Sequence, residues 1–283
     1  MPVNVLYCEG NYKSIDIQII REILPKNCEI RPIGGKQLFV SSILGDRAIN
    51  PNLAGLLDRD FDCQNMTLKR SPCPIFTSNN IQVGWSWERK EIENYLLDPE
   101  VVQRALERKA PPINEYQSAL MEAAKSISNY TAARTALSCY GFKNFWGEKV
   151  SNTSHCFPRR LGREACEQNI QTIVQQLRGD RIVTPENVLD KFRRLVPLFQ
   201  PGGNRFENFL TFFAGKDLLC IMTEKLRVFG FESSNSQISP RDVFLERIIK
   251  GMERKQEVWI WLEEWRMLRE LIINTDFSTT SPT

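Results

Sequence analysis

One histidine, no Cys-x-x-Cys pair, no long apolar run and little net charge: these shortages bound what the 283-residue chain can do. With His155 as the sole imidazole, Ser-His or Cys-His nucleophilic catalysis would have to pass through that one residue, so carboxylates are the better reactive groups. The eight cysteines (Cys8, Cys28, Cys63, Cys73, Cys139, Cys156, Cys166 and Cys220) are scattered and read as reduced thiols. His155-Cys156 with Cys166 ten residues on matches no common zinc spacing, and His155 reads as an incidental loop residue. No stretch approaches the ~20 apolar residues of a membrane span, and the first residues lack the basic start and cleavage site of a signal peptide. A cytoplasmic protein with no membrane partner is expected. Internal repeats are also missing, and only 278–283 reads as a disordered tail.

What is present is an ordinary globular composition, 42% hydrophobic and 25% charged, with a net charge of +3 that is unevenly spread. Residues 1–100 hold 11 Lys/Arg against 13 Asp/Glu, whereas 134–216 hold 13 against 7. An acidic part joined to a basic part suits a metal site that meets a polyanion, although a solvated basic face reads the same way.

The most informative stretch is Leu53-Ala-Gly-Leu-Leu-Asp58-Arg59-Asp60-Phe61-Asp62, an apolar run that ends in alternate acids. On a strand, i and i+2 share a side, so Asp58 and Asp60 would emerge together. Two carboxylates that close repel unless a cation or a proton lies between them. An acidic turn after a buried strand is the plain alternative. Upstream, Asn4–Cys8 reads as a strand ending in Glu9-Gly10, 14–24 as a helix stopped by Pro25, 28–31 as a second strand, and 36–44 as a second helix. The opening is thus β-α-β-α-β, which implies a mainly parallel sheet whose ligands collect at the carboxyl ends of the strands. Two short strands are expected near 74–77 and 81–83, then a helix over 88–97 closed by Asp98-Pro99. Beyond it the periodic segments are helical: 100–108, 115–126, 129–139, 163–178, 185–196, 215–227 and a long last helix over 241–272.

Two motif readings fail on spacing and a third departs from its pattern. Asp58-x-Asp60-x-Asp62 begins like a calcium loop, but Cys63 stands where glycine is needed and Lys69 where glutamate closes the shell. Gly34-Gly35-Lys36-Gln37 lacks the first glycine and the Ser/Thr of a P-loop, and retains only a glycine turn where a phosphate could sit against Lys36. An Asp-nucleophile phosphatase carries D-x-D on its first strand, whereas Asp58 comes late.

The ordered set Glu9-Gly10, Gly34-Gly35-Lys36, Asp58-Arg59-Asp60 and Glu91-Ile92-Glu93-Asn94-Tyr95 resembles the TOPRIM domain in its OLD-nuclease version, especially that of phage-defence proteins such as the PARIS nuclease subunit. Gly215-Lys216-Asp217-Leu218-Leu219 is similar to a motif in the helical part of the same group. The resemblance implies a TOPRIM-like catalytic domain over 1–100 and a helical domain for substrate grip or assembly over 101–283. It also implies a nuclease acting on RNA such as tRNA, or on DNA, as an anti-phage effector. By the same resemblance Glu9, Asp58 and Asp60 are metal ligands, with Glu9 also a general acid/base, and Glu93 and Glu91 are ligands or nearby acids. At most one of these last two reaches the metal, since i and i+2 on a helix diverge. Two magnesium ions, or manganese, suit an all-oxygen site.

Lys36 and Arg89 are the nearest candidates to hold a phosphate oxygen, and Arg159, Arg160, Arg163, Arg193 and Arg194 are candidate nucleic-acid contacts, with Arg178, Arg181 and Lys191 beside them. Lacking a Walker motif, the chain is expected to answer to a separate ABC-type or AAA ATPase, with a second copy of itself as a further candidate partner. Trp259, Trp261 and Trp265 recur at helical spacing and read as core. The readings kept against the nuclease are a non-catalytic protein-interaction module and the Asp-nucleophile phosphatase.

Overall fold

The sheet follows from the alternation of short apolar strands with helices. A computed structural model describes residues 3–34, 38–59, 61, 72–142, 146–150, 155–179, 182–235 and 237–277. They fall into two compact units, one made of the described residues within 1–59, 68–110 and 245–283, the other of those within 60–67 and 111–244. The protein is α/β, with a five-stranded, mostly parallel sheet flanked by helices.

In the first unit the chain runs β1 (Val5–Cys8), α1 (Ile15–Ile23), β2 (Glu29–Pro32), α2 (Phe39–Arg47), β3 (Leu53–Leu57), β4 (Cys73–Phe76), β5 (Gln82–Ser86), α3 (Glu93–Leu96) and α4 (Pro99–Leu106). The strand order is β2-β1-β3-β5-β4, parallel throughout except for the antiparallel edge strand β4. Pro74 can sit in β4 because an edge strand leaves one row of amides unused. From β1 the chain crosses to one side to form β2, then returns to build β3 and β5 on the other. The switch in direction therefore lies between β1 and β3.

Val5, Tyr7, Leu53 and Val83 pack with Phe39 and Ile43 of α2 on one face of the sheet. A Cβ on Gly55 would stand 2.1 Å from the Phe39 ring, so glycine at that position lets α2 lie flat on β3. All four residues of β1 are buried, as a strand covered on both faces requires.

The second unit is built on α5 (Ile113–Cys139), a helix buried along most of its length and packed by α6 (Arg163–Leu177), α7 (Pro185–Phe199) and α9 (Gly215–Val228). It also contains the short α8 (Phe209–Phe212) and a two-stranded hairpin of β6 (Glu148–Lys149) and β7 (Cys156–Phe157), so it is not purely helical. The boundary between the units falls inside α10 (Pro240–Glu253), and α11 (Glu263–Asn274) belongs to the first unit.

Three expectations are corrected. The helices read at 115–126 and 129–139 are one, because Ser126-Ile127-Ser128 contains no breaker. The long helix read over 241–272 is broken, with Glu257 at φ 54° and a 3-10 turn at Val258–Ile260 before α11. Beyond that break Trp261 and Trp265 enter the interior, as read, whereas Trp259 stays half-buried under Arg269. Third, a division at residue 100 differs from the observed units, since 245–277 belong to the unit that holds the sheet: α11 and the 3-10 turn pack on α1, and Val3 N–H bonds Ile272 O at 3.3 Å.

Candidate functional site

Glu9 and Asp58 leave adjacent parallel strands at the same edge, because Cys8 of β1 is in register with Leu56 of β3. Their meeting is direct: Asp58 N–H donates to Glu9 Oε1 at 3.3 Å. Gly10 follows at φ 97°, and a Cβ there would lie 2.6 Å from Ser14 Oγ, so only glycine makes this turn without strain. The turn pairs with the one after β2 through a Gly10–Gly34 bridge, while Ile33 N–H reaches Cys8 O at 3.0 Å. Two acids thus stand where the strand order reverses, the usual place for a ligand crevice in an open α/β sheet.

Asp60 and Lys36 lie outside the described residues, so neither can be placed with Glu9. Among the described residues, no three Asp, Glu, His or Cys side chains gather closely enough to enclose a metal ion. Glu9 and Asp58 still suit a hard cation, because magnesium takes one or two protein carboxylates and completes its shell with water and substrate phosphate.

The helix read over 88–97 shrinks to α3, and 88–92 is a bent segment whose amides bond to side chains instead. Glu88 N–H donates to Glu264 Oε1 at 2.6 Å, Arg89 N–H to Tyr95 Oη at 3.1 Å and Glu91 N–H to Asn94 Oδ1 at 3.2 Å. Glu93 is buried at the start of α3, and Glu91 is half-buried. The i, i+2 helix geometry expected for this acidic pair therefore does not hold.

Arg89 is corrected as well. Its guanidinium bonds Asp98 Oδ2 at 2.6 Å and Asn94 O at 3.0 Å and stacks over the Tyr95 ring, which makes it a brace of the segment rather than a hand for phosphate.

Sequence reading missed Glu264. This carboxylate of α11 is buried and accepts from Glu88 N–H on one oxygen and from Tyr95 O–H at 2.5 Å on the other. Burial pushes its pKa up to about 7 against the lowering effect of those two bonds and of Arg89. Burial and the neighbouring Glu264 likewise push Tyr95 well above the usual phenol. On the other side of the segment, Arg59 Nη1 donates to Glu88 O at 2.8 Å and Trp87 N–H to Leu57 O at 3.0 Å. A Glu at the second turn-forming position of a helix is too common for sequence alone to have marked it.

In the second unit the arginines read as phosphate contacts are exposed and several are paired. Arg159 meets Glu148 at 2.8 Å, Arg163 meets Glu167 at 3.3 Å and Arg193 meets Glu186 at 2.7 Å, while Arg160 and Arg194 are exposed. Asp217, from the glycine-lysine motif, is fully buried in the first turn of α9 and is bonded by Arg134 Nη1. His155 Nε2 lies 3.1 Å from the other Asp217 oxygen, so this histidine is not incidental. Burial works against its charge, yet Asp217 and Cys220 outweigh it and raise the pKa to about 9.

Neither the family models nor the curated proteins compared with this chain match it. Among the described residues, no helix is long and apolar enough to cross a membrane.

Proposed function

We propose that the chain is a divalent-metal-dependent nuclease of the TOPRIM type, with its cation held at the Glu9/Asp58 edge of the sheet. The observation that carries this reading is the hydrogen bond from Asp58 N–H to the Glu9 carboxylate across the switch point of a parallel sheet. Two acids from strands 1 and 3 meet there, in agreement with the resemblance of Glu9-Gly10 and Asp58-Arg59-Asp60. A bound magnesium ion supplies an activated water and stabilises the leaving oxygen of a phosphodiester.

The chain's own part is positional. On this reading the Asp58 amide holds the Glu9 carboxylate, the Asp58 carboxylate would add a second set of oxygens, and Glu9 would accept or return a proton. The phosphatase alternative fits less well, because the first strand ends in Glu9 and the aspartates follow β3. RNA or DNA as substrate, action as a phage-defence effector and control by a separate ATPase rest on the resemblance.

The test is magnesium-dependent cleavage of labelled DNA and total RNA by the purified full chain, with and without the product of its genomic neighbour. Glu9→Ala and Asp58→Ala are each expected to lower cleavage at least about 100-fold while leaving the circular-dichroism melt in place. Undiminished cleavage by either variant removes these roles. Calorimetry that finds no Mg²⁺ or Mn²⁺ binding, with nucleic acid present or not, would favour the interaction module.

A further inference from the structure

We infer that Glu264, on the last helix of the chain, is a positioning residue for the acidic segment Glu88–Glu93 and, through Arg59, for the end of β3 that carries Asp58. The inference rests on the nuclease reading for its metal but not for its geometry. Residues 88–92 have no regular secondary structure of their own, so their backbone must be held by something else. The holder is a carboxylate 176 residues away, which accepts Glu88 N–H at 2.6 Å. The same side chain accepts from Tyr95 O–H, whose oxygen in turn accepts Arg89 N–H, so both the start of the segment and α3 hang from Glu264. Trp87 and Trp265 flank Tyr95 with ring centroids 5.0 and 6.0 Å from it, which keeps water away from these bonds.

The opposite edge of the segment is tied to the strand. The Glu88 carbonyl receives the Arg59 guanidinium at 2.8 Å, and Arg59 directly follows Asp58. Glu264, Glu88 and Arg59 therefore form one hydrogen-bonded line from α11 to the β3 terminus. Lengthening any link shifts the end of β3 that carries Asp58 relative to Glu9, and a carboxylate displaced by about 1 Å is enough to degrade a site that needs fixed geometry. A carboxylate merely filling the core would be replaceable by an apolar side chain of similar size, whereas this one supplies two acceptors that leucine cannot.

Three variants of the full chain separate these roles. Glu264→Ala removes both acceptors, Tyr95→Phe removes only the phenol link, and Glu264→Gln keeps an acceptor for Glu88 N–H. Amide exchange of apo protein is expected to quicken at least tenfold over 87–95 in Glu264→Ala and less in Tyr95→Phe, with 5–8 and 53–56 unchanged. Calorimetry should then show Mg²⁺ binding weakened about tenfold in Glu264→Ala and largely restored in Glu264→Gln. If Glu264→Ala does not fold, Tyr95→Phe carries both measurements.

Unchanged exchange would overturn the anchoring, and faster exchange with unaltered Mg²⁺ affinity would overturn the positioning role. Wild-type protein that binds no Mg²⁺ would instead sink the nuclease reading, while the exchange difference still scores the anchor by itself.

Discussion

Single side chains carry most of the consequence here, and they do so by where their hydrogen bonds go. Arg134 and Asp217 form an ion pair inside the second unit, 8% and 0% exposed, with Arg134 also lying 3.9 Å over the Phe61 ring. Loss of either residue breaks a buried ion pair, with Asp217 keeping His155 at 3.1 Å when Arg134 is lost. Arg134→Ala or Asp217→Asn should therefore cost about 3–5 kcal/mol in urea unfolding, whereas an exposed pair such as Arg159/Glu148 should cost under about 1 kcal/mol.

Glu264 makes a pH prediction. Its pKa is raised from 4.5 to about 7 in the folded chain, so the native state binds this proton more tightly than the unfolded state. The resulting stability is complete below the unfolded value and is lost as pH rises through the folded one. Wild type should lose on the order of 3 kcal/mol from this group between pH 4.5 and 7, and Glu264→Gln should flatten that slope in urea melts taken across the range. Of these residues the sequence pointed to Glu9 and Asp58 through their places after apolar runs. Glu264 and Arg134 were hidden, because a charged residue on an amphipathic helix reads as solvated until its neighbours are known.

At the scale of elements, β1 and β3 were readable because each is a short apolar run closed by an acid, whereas β5 runs to Ser86 beyond the expected 81–83 and the β6/β7 pair lies where no strand was expected. Among the helices, those with clear amphipathic periodicity and caps were the easier ones. Thr184 with Asn187 makes a capping box at the start of α7, and Asp98 caps α4 through Glu100 N–H. The failures share a cause: long-range side chains took over backbone bonds, as Glu264 and Tyr95 do at 88–89, or tertiary contact overrode a continuous pattern, as at Glu257. Packing of one element on another gives a direct test. Gly55→Ala places a methyl 2.1 Å from the Phe39 ring and 2.6 Å from Ile43 Cδ1, so α2 must move off β3. A loss of about 1–3 kcal/mol in thermal or urea unfolding is expected, and on the proposed nuclease reading cleavage should weaken too, because β3 also delivers Asp58.

Across the whole molecule, the two ends of the chain meet in one unit. The segment after residue 244 contributes α11, which bonds the start of the chain at Val3 and seats Glu264 against 88–95, and Phe277, which packs on Trp85 with ring centroids 5.8 Å apart. A chain ending at residue 244 should lose cooperative unfolding of the sheet unit, visible as rapid proteolysis of 1–110 while 111–244 resists; equal resistance of both would refute this. By itself the sequence determined the α/β class, the succession of the first strands along the chain and the places of Glu9 and Asp58 at strand ends, because strand length, alternation and turn residues are local properties. The tertiary structure alone decided that the last helix completes the first unit, that 88–92 is held by remote side chains and that His155 and Arg134 share a buried aspartate. Those are contacts between residues far apart in the chain, and no local pattern encodes which distant carboxylate a backbone amide will find.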